Sequence, residues 1–457
     1  MSFLKTLRNR NVAVVGAGVT GNAMVDFLTS QGAIVQLFDE RKVFPDVITE
    51  VTGELISKTS LVCVSPGWRT DHFFIEEFRK LNIEILSEID LAWRVKQEIA
   101  PNQKWIGVTG TNGKTTTIQM VASIFKAAGI NGSACGNVGD TVIAAVNSTE
   151  KFEVLALELS SFQIEWSNEA RFEISCILNI ADDHIDWHGS FDNYAKSKIK
   201  LLGMSKMALL NNSDPELIKY SASYSGKKIF FSLETPRLGE LGLVENLLID
   251  RAFNGSESAE AIGELKDIAP AVPHNVLNAL AAGGLTRALG ISPKMVQQGL
   301  NNFELDHHRL ELVLDQSDIK WVNDSKATNP HAALAALLSQ LSAIWIAGGL
   351  AKGADMDDLI KRGKNRFREI ILIGKDKDAI KSALSKYSPD TQVHEITSQN
   401  IGEDLMLEVV SLANSIAKSG DTVLLAPACA SMDQFKSYSH RGDAFKSAIS
   451  KLVAKNG

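Results

Sequence analysis

The sequence of 457 residues lacks the features that define several classes of protein. It contains four cysteines, Cys63, Cys135, Cys176 and Cys429, and no CxxC pair. This scarcity argues against a zinc cluster and a disulfide framework, and it favours a reducing compartment. Positive charge is not in excess, because 47 Lys and Arg residues stand against 54 Asp and Glu residues. The net charge of −7 disfavours a nucleic-acid partner, which would call for a basic face.

Long apolar runs are also missing. No stretch approaches the roughly 18 uninterrupted apolar residues of a membrane span, and the first ten residues lack the apolar segment of a signal peptide. We therefore expect a cytoplasmic protein with no membrane partner. Apolar residues make up 45% of the chain and charged residues 22%, a mixture typical of globular domains. At roughly 100–200 residues per domain, the length predicts two to four domains.

Short apolar runs alternate with helical patterns along most of the chain. Many of these runs are apolar at consecutive positions, which is typical of parallel strands covered on both faces. The alternation predicts an α/β fold. The strand-like runs are Val12–Val15, Ile34–Phe38, Leu61–Val64, Trp105–Val108, Val154–Leu157, Ile174–Leu178, Met207–Leu210, Ile229–Phe231, Ala343–Ala347, Ile370–Ile373 and Val423–Ala426. Residues 233–272 are harder to interpret, and only Leu247–Ile249 has a strand pattern there.

The runs fall into three groups, which predict domains at residues 1–101, 102–304 and 305–457. The second group begins with the strand-like run at Trp105 and ends after a helical pattern at Val276–Leu289. In parallel α/β sheets, ligands bind at the carboxyl ends of the strands. We therefore searched the segments that directly follow each strand-like run for residues able to perform chemistry.

The first such segment is a glycine-rich loop, GAGVTG, at Gly16–Gly21. It precedes a helical pattern, and Asp39 ends the next strand-like run. Loops of this kind bring backbone N–H groups to a phosphate, and the acid binds a ribose. On its own this pattern leaves three alternatives: a dinucleotide or other nucleotide-diphosphate ligand, a tight turn without a ligand, or a ligand of another kind.

The second segment, after the run at Trp105–Val108, has the parts of a phosphate-binding loop. Its glycines let backbone N–H groups face phosphates, its lysine neutralises them, and its hydroxyl groups suit Mg²⁺. The loop is a shortened variant, because Val108 rather than glycine stands six positions before the lysine. The loop residues are Gly110, Thr111, Asn112, Gly113, Lys114, Thr115 and Thr116.

Carboxylate and imidazole groups follow the next two runs. Glu158 directly follows Val154–Leu157, and His184 lies in the acidic segment DDHID after the run that ends near Asn179. Such groups at neighbouring strand ends, beside a phosphate loop, suit a Mg²⁺ site. Lys198 lies farther along the chain, where composition alone favours a solvated surface lysine.

Together, these motifs resemble those of the Mur ligase family, which builds the peptide of bacterial cell-wall precursors. The resemblance extends over almost the whole chain and is carried by Gly110–Thr116, Glu158–Gln163, Asn179–Asp186, Tyr194–Lys198, His274–Asn278, His308–Glu311 and Asn323–Asn329. The segment Ala428–Phe435, with Arg441 and Gly442, resembles the D-glutamate-adding members in particular. The resemblance implies a Rossmann-like N-terminal domain, a central P-loop-type ATP-binding α/β domain and a C-terminal Rossmann-like α/β domain.

The resemblance also implies roles for individual residues. Catalytic roles are implied for Lys114, His184 and Lys198. Binding of the precursor UDP-N-acetylmuramoyl-L-alanine is implied for Val19, Thr20, Asp39, Arg41, Gly67, Asn137, Ser160 and Gln163. ATP binding is implied for the phosphate loop, Asn275, Asn278, Arg309 and Asp324, and D-glutamate binding for Lys326, Thr328, Lys352 and Ser431. Two Mg²⁺ sites are implied, with the ligands Thr115, Glu158, His184 and, as a carbamate, Lys198.

The implied reaction is ATP-driven amide formation by a monomer whose partners are small-molecule substrates. Two departures from the family pattern, Trp68 and Trp187, have no role assigned to them. Another Mur-type ligase, or a ligase similar to folylpolyglutamate synthetase, is the alternative with a different acceptor. An NAD-dependent oxidoreductase built on Gly16–Gly21 would leave the loop at Gly110–Thr116 unexplained. A non-catalytic nucleotide-binding protein is the third possibility.

Overall fold

The computed structural model describes residues 2–50, 52–253 and 258–456. The chain divides into two compact units, one formed by residues 1–180 and 187–303 and the other by residues 181–186 and 304–457. Within the described residues, no helix combines the length and the hydrophobicity that crossing a membrane requires.

Strands and helices alternate along both units. The strands are β1 Asn11–Val15, β2 Ile34–Phe38, β3 Leu61–Val64, β4 Ile85–Ser87, β5 Lys104–Thr109, β6 Gly132–Gly136, β7 Val154–Glu158, β8 Ile174–Ile177, β9 Met207–Asn211, β10 Lys227–Phe231, β11 Glu240–Val244, β12 Leu247–Asp250, β13 Glu260–Glu264, β14 Glu311–Gln316, β15 Ile319–Asn323, β16 Ala343–Gly348, β17 Phe367–Ile373, β18 Gln392–Glu395 and β19 Thr422–Leu425. The helices are α1 Phe3–Leu7, α2 Val19–Ser30, α3 Gly53–Lys58, α4 Phe73–Lys80, α5 Glu88–Ile99, α6 Lys114–Ala128, α7 Val142–Val146, α8 Ser161–Trp166, α9 Ile185–His188, α10 Phe191–Gly203, α11 Pro215–Ser221, α12 Pro273–Ala288, α13 Pro293–Asn301, α14 Pro330–Leu338, α15 Asp357–Gly363, α16 Lys377–Tyr387, α17 Gly402–Ile416 and α18 Tyr438–Asn456.

The N-terminal sheet of the first unit has the order β2-β1-β3-β4, and its strands are parallel. Val12, Val14 and Val15 are buried, as expected for strands covered on both faces. The chain moves from β1 to β2 on one side and then to β3 on the other, which creates a crevice at the carboxyl ends of β1 and β3. The glycine-rich loop at Gly16–Gly21 therefore lies where sheets of this kind bind ligands.

The second sheet of the first unit has the order β13-β12-β11-β10-β9-β8-β5-β7-β6 among the described residues. Strand β5 lies between β8 and β7 and is parallel to both. The phosphate loop after β5 is thereby flanked by the ends of the two strands that precede the predicted Mg²⁺ ligands. Helices α6 and α12 pack against this sheet through Ile118, Val121 and Leu280, which are buried in one apolar cluster.

The stretch 233–272, in which one strand was expected, contributes β11, β12 and β13 within its described part. Strand β12 pairs with its two neighbours in antiparallel orientation at the edge of the sheet. The prediction was incomplete because these strands are short and rich in glycine and glutamate. Antiparallel edge strands need only one apolar face, so their residues do not form a continuous apolar run.

The sheet of the second unit has the order β14-β15-β19-β16-β17-β18. Strand β14 is antiparallel to β15, and the other pairs are parallel. Trp345, Ile371 and Leu424 are completely buried within it. The predicted α/β class is confirmed, with boundaries of most predicted strands within a few residues. The domain boundaries at 101/102 and 304/305 stay predictions.

Candidate active site

The phosphate loop joins β5 to α6. Gly113 precedes α6 with a φ of 85°, a left-handed conformation that glycine adopts readily. Glycine offers no side-chain cap to the first turn of α6, and helix starts of this kind favour anions. A Cβ at Gly113 would also collide with Oδ1 of Asn278 on α12. The local sequence and the packing both require glycine here.

Lys114 lies in the first turn of α6 and folds back over the loop. Its Nζ donates to the carbonyl oxygens of Gly110 at 2.8 Å and Thr111 at 3.0 Å. The loop is further fixed by Asn179, whose side chain accepts a bond from Asn112 N at 2.8 Å and donates to Asn112 O at 3.1 Å. The structure therefore holds a cation and backbone N–H groups around one short loop, as the sequence predicted.

Glu158 ends β7 directly opposite Val108 of β5. Its side chain is buried, and Oε1 accepts a hydrogen bond from Nδ2 of Asn137 at 2.8 Å. The other oxygen, Oε2, is buried and has no hydrogen-bond partner among the described residues. Buried carboxylate oxygens are normally paired, so an unpaired oxygen at this position fits a cation that binds there.

The predicted Mg²⁺ ligands around this loop are few. Within the described residues, no three His, Cys, Asp or Glu side chains form a metal-binding cluster. Mg²⁺ commonly uses one or two carboxylates together with substrate phosphates and water. Glu158 and the half-buried Thr115 on α6 fit that pattern as a carboxylate and a hydroxyl donor.

Lys198 on α10 is 2% exposed, which shows that the surface position favoured by composition was wrong. Its Nζ donates to Gly110 O at 3.0 Å and lies 4.6 Å from the centre of the Tyr194 ring. Lys114 donates to the same carbonyl oxygen of Gly110. Two lysines thus donate to one carbonyl oxygen of the phosphate loop, although 84 positions separate them in the sequence. Local composition could not reveal this burial, because the covering residues come from β5 and its loop.

The imidazole groups after Asn179 are in two different settings. His184 has a φ of 52°, and its Nε2 lies 3.6 Å from Oδ2 of Asp183. His188 is buried, and its Nε2 lies 2.9 Å from Oγ of Ser161. The predicted role of His184 as a catalytic residue and metal ligand stays a prediction.

Two asparagines of α12 were predicted to bind adenine, and both are buried. Asn278 lies against Gly113 of the phosphate loop, as the collision with a Cβ there indicates. Nδ2 of Asn275 donates to Pro270 O at 3.1 Å near the start of the helix. The structure thus brings Asn278 to the phosphate loop, whereas Asn275 has a local structural contact.

The loop at Gly16–Gly21 is tied by the carboxylate of Asp39 at the end of β2. Oδ2 accepts a hydrogen bond from Ala17 N at 2.9 Å, and Oδ1 accepts one from Arg41 N at 3.0 Å. The Arg41 side chain is largely exposed, as is Val19 at the start of α2. Asp39 is therefore a buried support of the loop, and its predicted contact with the uridine stays a prediction.

The segment after β3 connects this crevice to the second sheet. Nε1 of Trp187 donates to Gly67 O at 3.0 Å, and Nε1 of Trp166 donates to Trp68 O at 2.8 Å. Arg69 donates to Trp187 O at 2.8 Å. Sequence reasoning gave Trp68 and Trp187 no role, since nothing local pairs positions about 120 residues apart. Through these bonds, Trp187 and the segment around Trp68 hold the loop after β3 of the N-terminal sheet against helices that belong to the second sheet.

Ser160 and Gln163, predicted to bind the precursor, form a capping box at the start of α8. Oγ of Ser160 accepts a bond from Gln163 N at 3.2 Å, and Oε1 of Gln163 accepts one from Ser160 N at 2.9 Å. This arrangement satisfies backbone groups that a helix start leaves unpaired. It explains both residue types without a ligand, so their binding roles stay predictions.

In the second unit, the residues predicted to bind D-glutamate lie after three adjacent strands, β15, β19 and β16. They are Lys326, Thr328, Lys352 and Ser431. Leu350 and Ala430 exchange backbone hydrogen bonds of 2.8 and 2.9 Å, which joins the segments that lead to Lys352 and Ser431. Nζ of Lys326 lies 3.9 Å from the centre of the Tyr438 ring. The predicted residues therefore lie together at the carboxyl ends of these strands.

Arg309 and Asp324, predicted to bind nucleotide, lie beside one another in the same unit. Removal from water raises the pKa of Asp324 to about 7, while the charge of Arg309 acts in the opposite direction. Oδ1 of Asp324 accepts a hydrogen bond from Leu310 N at 3.3 Å. His308 is buried nearby, and burial lowers the pKa of its imidazole.

Three family profiles match this chain. The profile described as the Mur ligase MurD-like, N-terminal domain matches residues 10–87, the Mur ligase middle domain matches 108–286, and the Mur ligase, glutamate ligase domain matches 308–429. The central and C-terminal profiles contain the phosphate loop and the residues after β15, respectively.

Known proteins resemble this chain over its whole length. The UDP-N-acetylmuramoylalanine–D-glutamate ligase of Thermobifida fusca is 40% identical to this chain. The alignment covers 98% of this chain and 99% of that relative. A pseudomurein peptide ligase type C from Methanothermus fervidus has a similar fold, with a TM-score of 0.62 at 19% identity. The superposition covers 97% of this chain and 100% of that protein. The MurF ligase of Thermotoga maritima in complex with ADP has a TM-score of 0.59 at 16% identity, and the superposition covers 100% of this chain and 98% of that protein. The chain belongs to the Mur ligase family.

Proposed function

We propose that this chain is an ATP-dependent amide ligase that adds D-glutamate to UDP-N-acetylmuramoyl-L-alanine during the synthesis of peptidoglycan precursors. The observation that carries the proposal is the phosphate loop with Lys114, Lys198 and Glu158 around it. The printed name of the Thermobifida fusca relative, at 40% identity over 98% of this chain, supports the choice of substrates.

The first step of the proposed reaction brings two anions together, because the precursor carboxylate attacks the γ-phosphorus of ATP. The bond between that phosphorus and ADP breaks, and an acyl phosphate forms. Positive charge and N–H donors must offset the negative charge of the moving phosphoryl group. Lys114 and the N–H groups at the start of α6 would supply them. The amine of D-glutamate then attacks the acyl carbon, and inorganic phosphate leaves.

Mg²⁺ would neutralise phosphate charge in this site when bound. Thr115 and Glu158 fit one ion, because they offer a hydroxyl and a buried carboxylate oxygen without a partner. We infer a second Mg²⁺ near His184 and Lys198 on the family resemblance alone.

The proposed carbamate of Lys198 draws support from its surroundings. A lysine must lose its proton before its nitrogen can attack CO₂, and that nitrogen then carries a carboxylate group. Lys198 is buried, and it shares the Gly110 carbonyl with Lys114. Burial and a neighbouring positive charge both favour the neutral amine of a lysine.

The amino-acid pocket that we propose lies at the ends of β15, β16 and β19. D-glutamate carries two carboxylates, which cationic and hydroxyl side chains bind well. Lys326, Lys352, Thr328 and Ser431 offer two of each kind. We also infer that the enzyme acts in the cytoplasm, where ATP is available, and that it acts as a monomer.

The test is the release of phosphate from ATP in the presence of UDP-N-acetylmuramoyl-L-alanine and one of a panel of amino acids. The panel contains D-glutamate, L-glutamate, L-alanine, L-lysine and diaminopimelate, and each reaction is repeated without precursor. Release that requires both precursor and D-glutamate is the expected result. Release with a different amino acid would retain the ligase class and overturn the acceptor.

A thermal-shift experiment separates this proposal from the oxidoreductase alternative. A uridine nucleotide should raise the melting temperature through the crevice at Gly16–Gly21, because a ligand that binds the folded state stabilises it. NADH should leave the melting temperature unchanged. Stabilisation by NADH but not by UDP would contradict the proposed precursor site.

A further inference from the structure

Arg441 in the first turn of α18 is a buried guanidinium group. Its side chain is 1% exposed, and it donates to Oγ of Ser325 at 3.0 Å, to Ser325 O at 2.9 Å and to Cys429 O at 3.2 Å. All three acceptors are uncharged, and the carboxylate of Asp433 acts on Arg441 without a direct ion pair between them among the described residues. Burial lowers the pKa of Arg441 to about 10, so the group stays positively charged at neutral pH.

A buried charge that is not directly paired with an opposite charge is costly, and its position is therefore informative. Ser325 directly precedes Lys326, and Cys429 lies two residues before Ser431. These two segments follow β15 and β19, which are adjacent parallel strands. Arg441 thus connects two segments that carry residues of the proposed amino-acid pocket, beyond the point where the strand pairing ends.

The first turn of α18 holds Ser325 from two sides. While Nε of Arg441 donates to Oγ of Ser325, the same hydroxyl donates to the backbone oxygen of Tyr438 at 2.8 Å. The ring of Tyr438 lies against Nζ of Lys326. A change at Arg441 is therefore transmitted to Lys326 through Ser325 and through Tyr438.

We propose that Arg441 is a positioning residue for the acceptor amino acid, because it sets the spacing of the segments at Lys326 and Ser431 and holds a positive charge behind them. The planar fork of a guanidinium fixes several acceptors at once, which an ammonium group cannot do. Its charge would favour an anionic acceptor over a neutral one. This inference rests on the proposed function, since it concerns the D-glutamate pocket of that reaction.

The test compares Arg441→Met, Arg441→Lys and Arg441→Ala with the control Arg362→Met, which alters an exposed arginine on α15. Arg441→Met should raise KM for D-glutamate about 10–100-fold, because small displacements of binding groups are costly. KM for ATP and for the precursor should change less than about twofold. Arg441→Lys should give an intermediate KM for D-glutamate, and the control should match the wild type.

Two further measurements separate positioning from general stability. Guanidinium ion at low millimolar concentration should lower KM of Arg441→Ala for D-glutamate, and it should not affect Arg362→Met. Should the Arg441 variants fail to fold, Ser325→Ala removes one acceptor and should raise the same KM by a smaller factor.

This inference is overturned if a folded variant shows equal increases in all three KM values or an unchanged KM for D-glutamate. In that case, normal activity of the wild type would still support the proposed function. Wild-type enzyme without D-glutamate-dependent phosphate release would overturn both.

Discussion

The two glycine-rich loops of the first unit each join a strand to a helix, and they differ in how they use charge. In the loop at Gly16–Gly21, the carboxylate of Asp39 accepts hydrogen bonds from backbone N–H groups and supports the loop from behind. In the loop at Gly110–Thr116, Lys114 folds over the backbone, and Lys198 donates from below. We propose that the first loop holds a phosphate group with N–H donors, whereas the lysines at the second loop supply the cations that a transferred phosphate requires.

This difference shows why glycine spacing alone leaves the ligand open. Both loops need glycine because a side chain would not fit. A Cβ at Gly21 would collide with Gly16 O, and one at Gly113 would collide with Asn278. Only the charged residues distinguish a loop that binds a substrate from one that moves a phosphoryl group. The following predictions test that distinction, beginning with the largest effect.

Lys114→Ala should lower kcat about 1000-fold, because the variant removes the cation that the transferring phosphate needs. Binding of UDP at the other loop should be unchanged in calorimetry. Lys126→Ala, an exposed position on the same helix, is the control and should retain normal turnover. Near-normal kcat in folded Lys114→Ala would show that the second loop does not serve phosphoryl transfer.

Lys198→Ala should lower kcat about 100-fold, since it removes the proposed carbamate beside the same loop. Acetate should restore part of the activity by occupying the gap, and removal of CO₂ should slow the wild type until bicarbonate is added. The matched control is Lys196→Ala on the same helix, whose Nζ makes a surface ion pair with Asp192. Wild-type kinetics of Lys198→Ala in CO₂-free buffer would rule the carbamate out.

Lys198 also shows what sequence could and could not predict. The α/β class and most strands follow from apolar runs, because burial on both faces is a local property of each strand. The phosphate loop is likewise local. The burial of Lys198, the bond from Trp187 to Gly67 and the bonds from Arg441 to Ser325 depend on residues 88 to 120 positions apart. No local pattern encodes such contacts, and the family resemblance alone pointed to Lys198.

Asp39→Asn should raise KM for the precursor about tenfold and leave KM for ATP unchanged. An asparagine keeps one acceptor for the loop but replaces the second with a donor, which loses a hydrogen bond to a charged group. The matched control is Asp46→Asn, an exposed position seven residues farther along the chain. An equal effect on both KM values would mean that the two loops are not independent binding sites.

The smallest effect concerns Glu88, which links helices α5 and α7 of the first unit. This residue begins α5, and its Oε1 accepts a hydrogen bond from Ile143 N of α7 at 2.7 Å. Its side chain is completely enclosed, and burial raises the pKa of this carboxyl from 4.5 to about 7. The folded state therefore binds the proton more tightly than the unfolded state does.

The sign of the pH effect follows from that difference. Below about pH 4.5 the carboxyl is protonated in both states, and its stabilising contribution is fully present. As the pH rises from 4.5 to about 7, the unfolded state loses its proton first, and the free energy of unfolding falls by about 3 kcal/mol. Glu88→Gln cannot ionise and keeps an acceptor for Ile143 N, so it should lack this decline.

Urea unfolding of both proteins at pH 5, 6, 7 and 8 measures the difference between their free energies of unfolding, which should grow to pH 7 and then level off. Parallel curves across this range would show that the folded state does not raise the pKa of Glu88.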